Sequence, residues 1–258
     1  MEQVRFENHL GEKLAGTLHS PARFSGRGAV LCHCFTCSRN IRLLSDLASA
    51  LSEAGFLALR FDFSGNGASE GAFTDSTCTK QVLEAGAALA FLKARGARGA
   101  VLLGHSLGGV AALIAASRNP EVTGLVTVAS RLSALTPGRF LAGDARAAFD
   151  ELGLAPFVSR GRELTLTREF FEDAERYDLR RILAELGRPV LWVTAGADEI
   201  LQPQFPEGSA APPGLSLFTI PGADHMLSAP EHRAALVGRV IEWLEQTGQA
   251  DSAEALLT

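Results

Sequence analysis

No apolar run in this 258-residue chain approaches the roughly 20 residues needed to cross a bilayer, so a membrane-spanning protein is not expected. Nor is there a surplus of cations. Lys and Arg number 24 against 29 Asp and Glu, a net charge of −5, and the positive charges are dispersed. That leaves no basic face for nucleic acid. The opening stretch MEQVRFENHLGEKLAGTLHSP mixes polar and apolar residues without the layout of a signal peptide. Cysteine is scarce, and three of the four (Cys32, Cys34, Cys37, with Cys78 apart) crowd into one place. A secreted disulfide framework spreads its cysteines, so the expectation is a cytoplasmic protein. No internal repeat is evident. With 47% hydrophobic residues the chain can bury a full core without disulfides or a structural metal.

The pattern that remains is regular. Residues 2–7 and 13–18 alternate in hydrophobicity around His9-Leu10-Gly11-Glu12, as an antiparallel hairpin does. Short apolar runs follow: GAVLCH, FLALRF, AVLLGH, VTGLVTVA, PVLWVTAG and LSLFTI. Such runs suit strands buried on both faces of a mostly parallel sheet. Helical stretches separate them. Residues 75–95 place Val82, Ala85, Leu89 and Leu92 on one face, with Gly96 as the stop. Residues 107–118 are alanine-rich and end before Pro120; residues 230–246 open with a proline and close before Gly248. This alternation predicts a doubly wound α/β sheet flanked by helices, as one domain over residues 1–258. One interval, 131–187, is far longer than an ordinary connection. It holds a helical pattern of its own near 168–186, with Phe170, Phe171, Ala174, Ile182 and Leu183 on the apolar face, and is expected to form an inserted cap.

Gly104-His105-Ser106-Leu107-Gly108 fits G-x-S-x-G, with a buried strand before it and a helix after it. A strand that turns sharply into a helix holds the serine exposed, and the small residues two positions away let the backbones approach. A serine hydroxyl also needs a base and a group to orient that base. Of six histidines, His105 lies in the turn itself, His9 and His19 flank the hairpin, and His232 falls in the last helix. His225 follows the last apolar run, where α/β sheets place ligands, and is the expected base. The expected orienting acid is Asp198, just after another buried strand; Glu199 is its rival and Asp224 a weaker one. Ser106, Asp198 and His225 then stand in the chain order of this hydrolase arrangement.

The run LCHCFTCSRN raises the question of zinc. Neighbouring residues on a strand face opposite ways, so Cys32 and His33 do not easily share a metal, and C-x-C-x-x-C has no second knuckle elsewhere. No metal and no cofactor are expected. An acyl-transfer enzyme instead needs two backbone N–H donors for its oxyanion, one after the nucleophile and one in a loop after an early strand. Leu107 and Phe35 occupy those places, with Cys34 and Cys37 as small residues of a tight loop. The stretch Arg60–Ser69 lacks the glycine spacing of a dinucleotide loop and is expected to be a turn, Asp62 bonding to backbone.

Together, HCF, D-x-x-G-x-G-x-S, GHSLGG, the strand-end Asp198 and GADH resemble the α/β-hydrolase superfamily over nearly the whole chain. More narrowly, HCFTCS, LRFDFSGNGASEG and ELTLTREFFEDAERYD resemble the hydrolase fused to OsmC-type domains, and the cap is similar to that of small cinnamoyl (feruloyl-type) esterases. Cys34 stands where the wider family has glycine. The resemblance implies a carboxylesterase acting on a small-molecule ester of small to medium acyl or aryl type. Ser106 would be its nucleophile, His225 its base, Asp198 the orienter, and Phe35 and Leu107 the oxyanion donors. A thioesterase or peptidase with the same triad is the alternative among enzymes. A non-catalytic or redox-responsive binding protein on the same scaffold is the alternative of another class. The sequence is silent on oligomeric state.

Overall fold

The computed structural model describes residues 1–139, 144–205 and 211–249. The chain opens with β1 (Glu2–Glu7) and β2 (Lys13–His19), paired antiparallel with Phe6 opposite Leu14. Their turn is closed by Asn8, whose side-chain oxygen accepts from the N–H groups of Leu10 and Glu12. Strands β3 (Arg27–Cys32), β4 (Leu57–Phe61), β5 (Gly99–His105) and β6 (Val122–Val128) follow. The small hairpin β7 (Leu154–Ser159) and β8 (Arg162–Thr167) stands apart, before β9 (Val190–Ala195) and β10 (Leu215–Ile220). The main sheet has the order β1-β2-β4-β3-β5-β6-β9-β10 and is parallel from β4 onward.

Alternation along these strands sends side chains to two cores. Val30, Leu102 and Leu125 face one side, against Leu89 of α2 (Cys78–Ala94) and Leu113 of α3 (Leu107–Arg118). Leu31, Leu103 and Val193 face the other, against Leu47 of α1 (Arg42–Glu53) and Trp243 of α7 (Pro230–Gln246). Burial on both faces is why these strands read as unbroken apolar runs. Between β3 and β5 the strand order reverses, β4 lying to one side and β6 to the other. The carboxyl ends of β3 and β5 therefore frame the crevice where such sheets bind ligands.

Four local features depart from expectation. The helix expected over 75–95 begins at Cys78, where the Thr77 hydroxyl accepts from the Lys80 N–H and caps it; one 3-10 turn, Phe73–Asp75, comes before. The pattern over 168–186 is two helices, α5 (Arg168–Glu175) and α6 (Leu179–Glu185). Asp178 restarts the second by accepting from the Arg181 N–H, so the shared apolar face spans a break. The interval 131–187 also contains α4 (Asp144–Leu152) and the β7–β8 hairpin, which no periodicity announced. Helix α1 is a further element beyond those expected; its Leu43, Leu44, Leu47, Ala48 and Leu51 repeat at helical spacing and are all buried. Among the described residues no helix is long and apolar enough to cross a membrane.

Candidate active site

The turn after β5 explains why its glycines are glycines. A Cβ on Gly104 would lie 2.3 Å from the carbonyl oxygen of Gly108, and a Cβ on Gly108 would lie 2.3 Å from that of His33. Any side chain at either place would push α3 away from the strand ends. Between them Ser106 takes φ 54° and ψ −119°, a left-handed conformation costly for a residue with a Cβ. The strained bend leaves its hydroxyl projecting over the sheet.

Loops after two further strands of the sheet build a relay onto that hydroxyl. His225, after β10, places Nε2 3.0 Å from Ser106 Oγ. Its Nδ1 lies 2.8 Å from Asp198 Oδ2, after β9. With the Nδ1 proton directed at the carboxylate, Nε2 is left as the acceptor facing the serine. Asp198 is itself fixed, because Oδ1 accepts from the N–H groups of Ile200 and Leu201, each at 2.8 Å. The rivals fall elsewhere. Glu199 accepts from the backbone N–H of His225 at 3.2 Å, and Asp224 from that of Ser228 at 2.7 Å. Of the three acids, Asp198 is the one at the imidazole.

His105 plays a part that its position in the motif did not reveal. Its ring is fully buried, and Nε2–H donates to the carbonyl oxygen of His225 at 2.8 Å. The ring thus ties the strand carrying Ser106 to the loop carrying His225. Burial, then the nearby His225 ring, pushes its pKa down to about 4, so it is neutral. Its spacing one residue before the serine was the available signal, but nothing in the sequence pointed to a partner 120 residues away.

The run after β3 is a tight turn of another kind. His33 is buried, its Nδ1–H donating to the Cys34 carbonyl at 2.7 Å while Nε2 accepts from the Phe63 N–H at 3.0 Å. The Cys37 N–H reaches the same Cys34 oxygen at 3.1 Å. A trans peptide directs its N–H opposite its C=O, so the next N–H, that of Phe35, is aimed away from this polar cluster. The N–H of Leu107 is at the first turn of α3 and has no intrahelical partner. Here the cysteines need correction. Cys34 and Cys37 are not merely small residues: their sulfurs are joined in a disulfide, with Cα atoms 5.3 Å apart. Both sulfurs are therefore occupied by each other. Cys32 and Cys78 are buried free thiols, and burial pushes that of Cys78 up to about 12.

The Arg60–Ser69 turn is bound internally. Asp62 is fully buried, pairs with the Arg39 guanidinium, and accepts from the N–H groups of Arg39 and Ala68 at 2.6 and 2.9 Å. Beside Ser106 and His225 opens a cavity of about 520 Å³. Phe35, Leu107, Leu135 and Phe157 supply apolar wall to it.

Residues 29–239 match the family described as "Alpha/beta hydrolase family". Among solved structures, the esterase domain of a Rhodothermus marinus protein is 30% identical, with a TM-score of 0.73, covering 95% of this chain and 98% of that one. Est1E of Butyrivibrio proteoclasticus with ferulic acid bound is 21% identical, with a TM-score of 0.72 and coverage of 95% and 98%, a likeness of fold. Among curated proteins, a pimeloyl-[acyl-carrier protein] methyl ester esterase of Xanthomonas campestris pv. campestris is 34% identical over 160 residues. That match takes in 49% of this chain and 63% of the relative, less than two thirds of its length.

Proposed function

The chain belongs to the alpha/beta hydrolase family, and on that premise we propose that it is a serine carboxylesterase working through Ser106, His225 and Asp198. The observation that carries the reading is the unbroken relay from Ser106 Oγ through His225 to Asp198, at 3.0 and 2.8 Å, opening on an apolar cavity.

In this reading Ser106 Oγ attacks the ester carbonyl carbon while His225 Nε2 takes its proton. The carbonyl electrons move to oxygen, and the N–H groups of Phe35 and Leu107 receive the resulting oxyanion. His33 matters here by holding the Cys34 carbonyl and so the direction of the Phe35 N–H. Collapse of the intermediate expels the alcohol, which takes the proton from His225. Water then repeats the sequence on the acyl-enzyme and releases the acid. Asp198 stabilises the imidazolium formed on the way without taking its proton. Residues 131–187 act as a cap, with the β7–β8 hairpin bringing Phe157, Val158 and Ser159 to the cavity wall and so shaping the acyl or aryl group accepted.

Ser106→Ala tests the reading. It should abolish ester hydrolysis and fluorophosphonate labelling while the circular dichroism spectrum stays that of the native protein. Labelling that persists in the variant refutes the assignment. A matched panel of esters, thioesters and peptides separates the carboxylesterase from a thioesterase or peptidase using the same three residues.

A further inference from the structure

The turn after β3 is closed twice. The Cys37 N–H donates to the Cys34 carbonyl oxygen at 3.1 Å, and the two sulfurs are joined covalently. Phe35 and Thr36 lie between them, and all four residues line the cavity at Ser106. The middle pair also reaches the cap hairpin. Phe35 stacks its ring on Phe157, with centroids 5.7 Å apart and planes 12° from parallel. Thr36 Oγ1 shares a hydrogen bond with Ser159 Oγ at 2.7 Å. The peptide unit between Cys34 and Phe35 contains both the pinned carbonyl and the N–H assigned to the oxyanion, so a rotation of one rotates the other. Without the bridge, only the hydrogen bonds from His33 Nδ1 and the Cys37 N–H would hold that plane, and each such bond contributes little net. Bonded sulfurs stand about 2 Å apart, whereas non-bonded heavy atoms keep roughly 3.5–4.0 Å. Cys34 and Cys37 are 5% and 6% exposed, so a pair that lost its bond would have to widen the turn beside the cavity.

We propose that the Cys34–Cys37 disulfide is a positioning element of the oxyanion site, and that reducing it turns ester hydrolysis down. The proposal rests on the serine-esterase reading and on Phe35 as a donor within it. The reductant is a dithiol. One of its thiolates attacks a cysteine Sγ, forming a mixed disulfide and displacing the other cysteine as a thiolate. The second thiolate of the reductant then attacks the reductant sulfur of that mixed disulfide. The reductant closes into a cyclic disulfide, and the second cysteine leaves as a thiolate. Two electrons pass from the dithiol to the protein, and the cysteines take up the two protons that the dithiol gave up.

Steady-state kinetics on a short acetyl ester, too small to depend on the cap wall, test this. The full chain is assayed oxidised, then reduced with dithiothreitol and separated from it under argon, then reoxidised with oxidised glutathione. Reduction should raise the thiol count of the denatured protein from two to four. It should lower kcat by about tenfold to a hundredfold and leave KM within about twofold, because an oxyanion donor acts in the transition state. Reoxidation should restore kcat. Cys37→Ser should match the reduced protein and ignore the dithiol, whereas Cys78→Ala, altered outside this turn, should respond as the wild type does. A reduced protein with four thiols and an unchanged or higher kcat overturns the proposal and leaves the esterase reading standing. So does a Cys37→Ser protein with wild-type kcat, a reduced Cys78→Ala protein that keeps full kcat, or a loss that appears in KM alone. If Cys37→Ser does not fold, the reduced and reoxidised wild type decides; if dithiothreitol frees no thiol in the native protein, the reduction step is overturned and Cys37→Ser decides the positioning. Failure of the oxidised protein to hydrolyse any ester counts against the esterase reading itself.

Discussion

His105 offers the sharpest test of how this site is held together, because its hydrogen bond and its titration can be separated by two substitutions. The folded protein keeps the ring neutral: Nε2–H donates to the His225 carbonyl, and Nδ1 is buried without a partner. A proton on Nδ1 would be a buried donor with nothing to receive it. Unfolded, the ring titrates near its ordinary 6.5; folded, it titrates at about 4, with burial the largest cause, His225 and Arg160 opposing its charge, and Asp198 and the carbonyl bond favouring it. Between those values the unfolded chain binds a proton that the folded chain refuses. The contribution is therefore complete above pH 6.5 and is lost as the pH falls toward 4. From about pH 7.5 to about pH 4.5 this amounts to about 2–3 kcal/mol. His105→Gln keeps an amide donor for the carbonyl and removes the titration. It should lie within about 1 kcal/mol of the wild type at the higher pH and lose much less stability at the lower. His105→Leu fills similar space but orphans the His225 carbonyl. It should cost about 1–3 kcal/mol and, by loosening the loop that aims Nε2 at Ser106, lower kcat by about tenfold to a hundredfold. Urea unfolding of the three proteins at both pH values, with kcat at the higher, supplies every number. Parallel stability losses in wild type and His105→Gln would refute the buried neutral ring. Full kcat in His105→Leu would refute the positioning.

Ser106→Gly should be inactive yet more stable than Ser106→Ala by about 1 kcal/mol, since glycine relieves the left-handed bend that alanine must keep; equal melting temperatures would mean that the bend carries no strain. Protein purified without reductant should show no fast thiol with an aromatic disulfide reagent, two thiols once denatured (Cys32 and Cys78), and four after reduction. Four thiols in the denatured, unreduced protein would remove the Cys34–Cys37 bond.

Legibility in the sequence followed the range of the interaction. Strands β3, β5, β6 and β9 announced themselves because burial on both faces leaves an unbroken apolar run, a property of the segment alone. The break between α5 and α6 did not, since the apolar face continues past it and the interruption is a single capping aspartate at 178. The β7–β8 hairpin was hidden for the opposite reason. Val158 is 71% exposed and Pro156 sits inside a strand, so neither a buried run nor a clean alternation marked it.

The same division runs through the candidate site. Ser106, Asp198 and His225 could be named because each ends a readable strand, and the sheet brings those ends to one side. What fixes their mutual geometry is contacts that have no local signature. His33 reaches Phe63 across 30 residues, and His105 reaches the His225 carbonyl across 120. Spacing offers His33 to a metal and leaves His105 as a residue of the turn, and it names the partner of neither. Their buried rings instead spend both hydrogen-bonding edges, or the one that matters, on backbone groups of neighbouring loops. The cysteines differ in kind. Spacing of C-x-x-C permits a metal site, a free dithiol or a disulfide, and only the turn closed by the Cys37 N–H on the Cys34 carbonyl brings the sulfurs together. A sequence can name groups able to react; the loop-to-loop hydrogen bonds decide which of them meet.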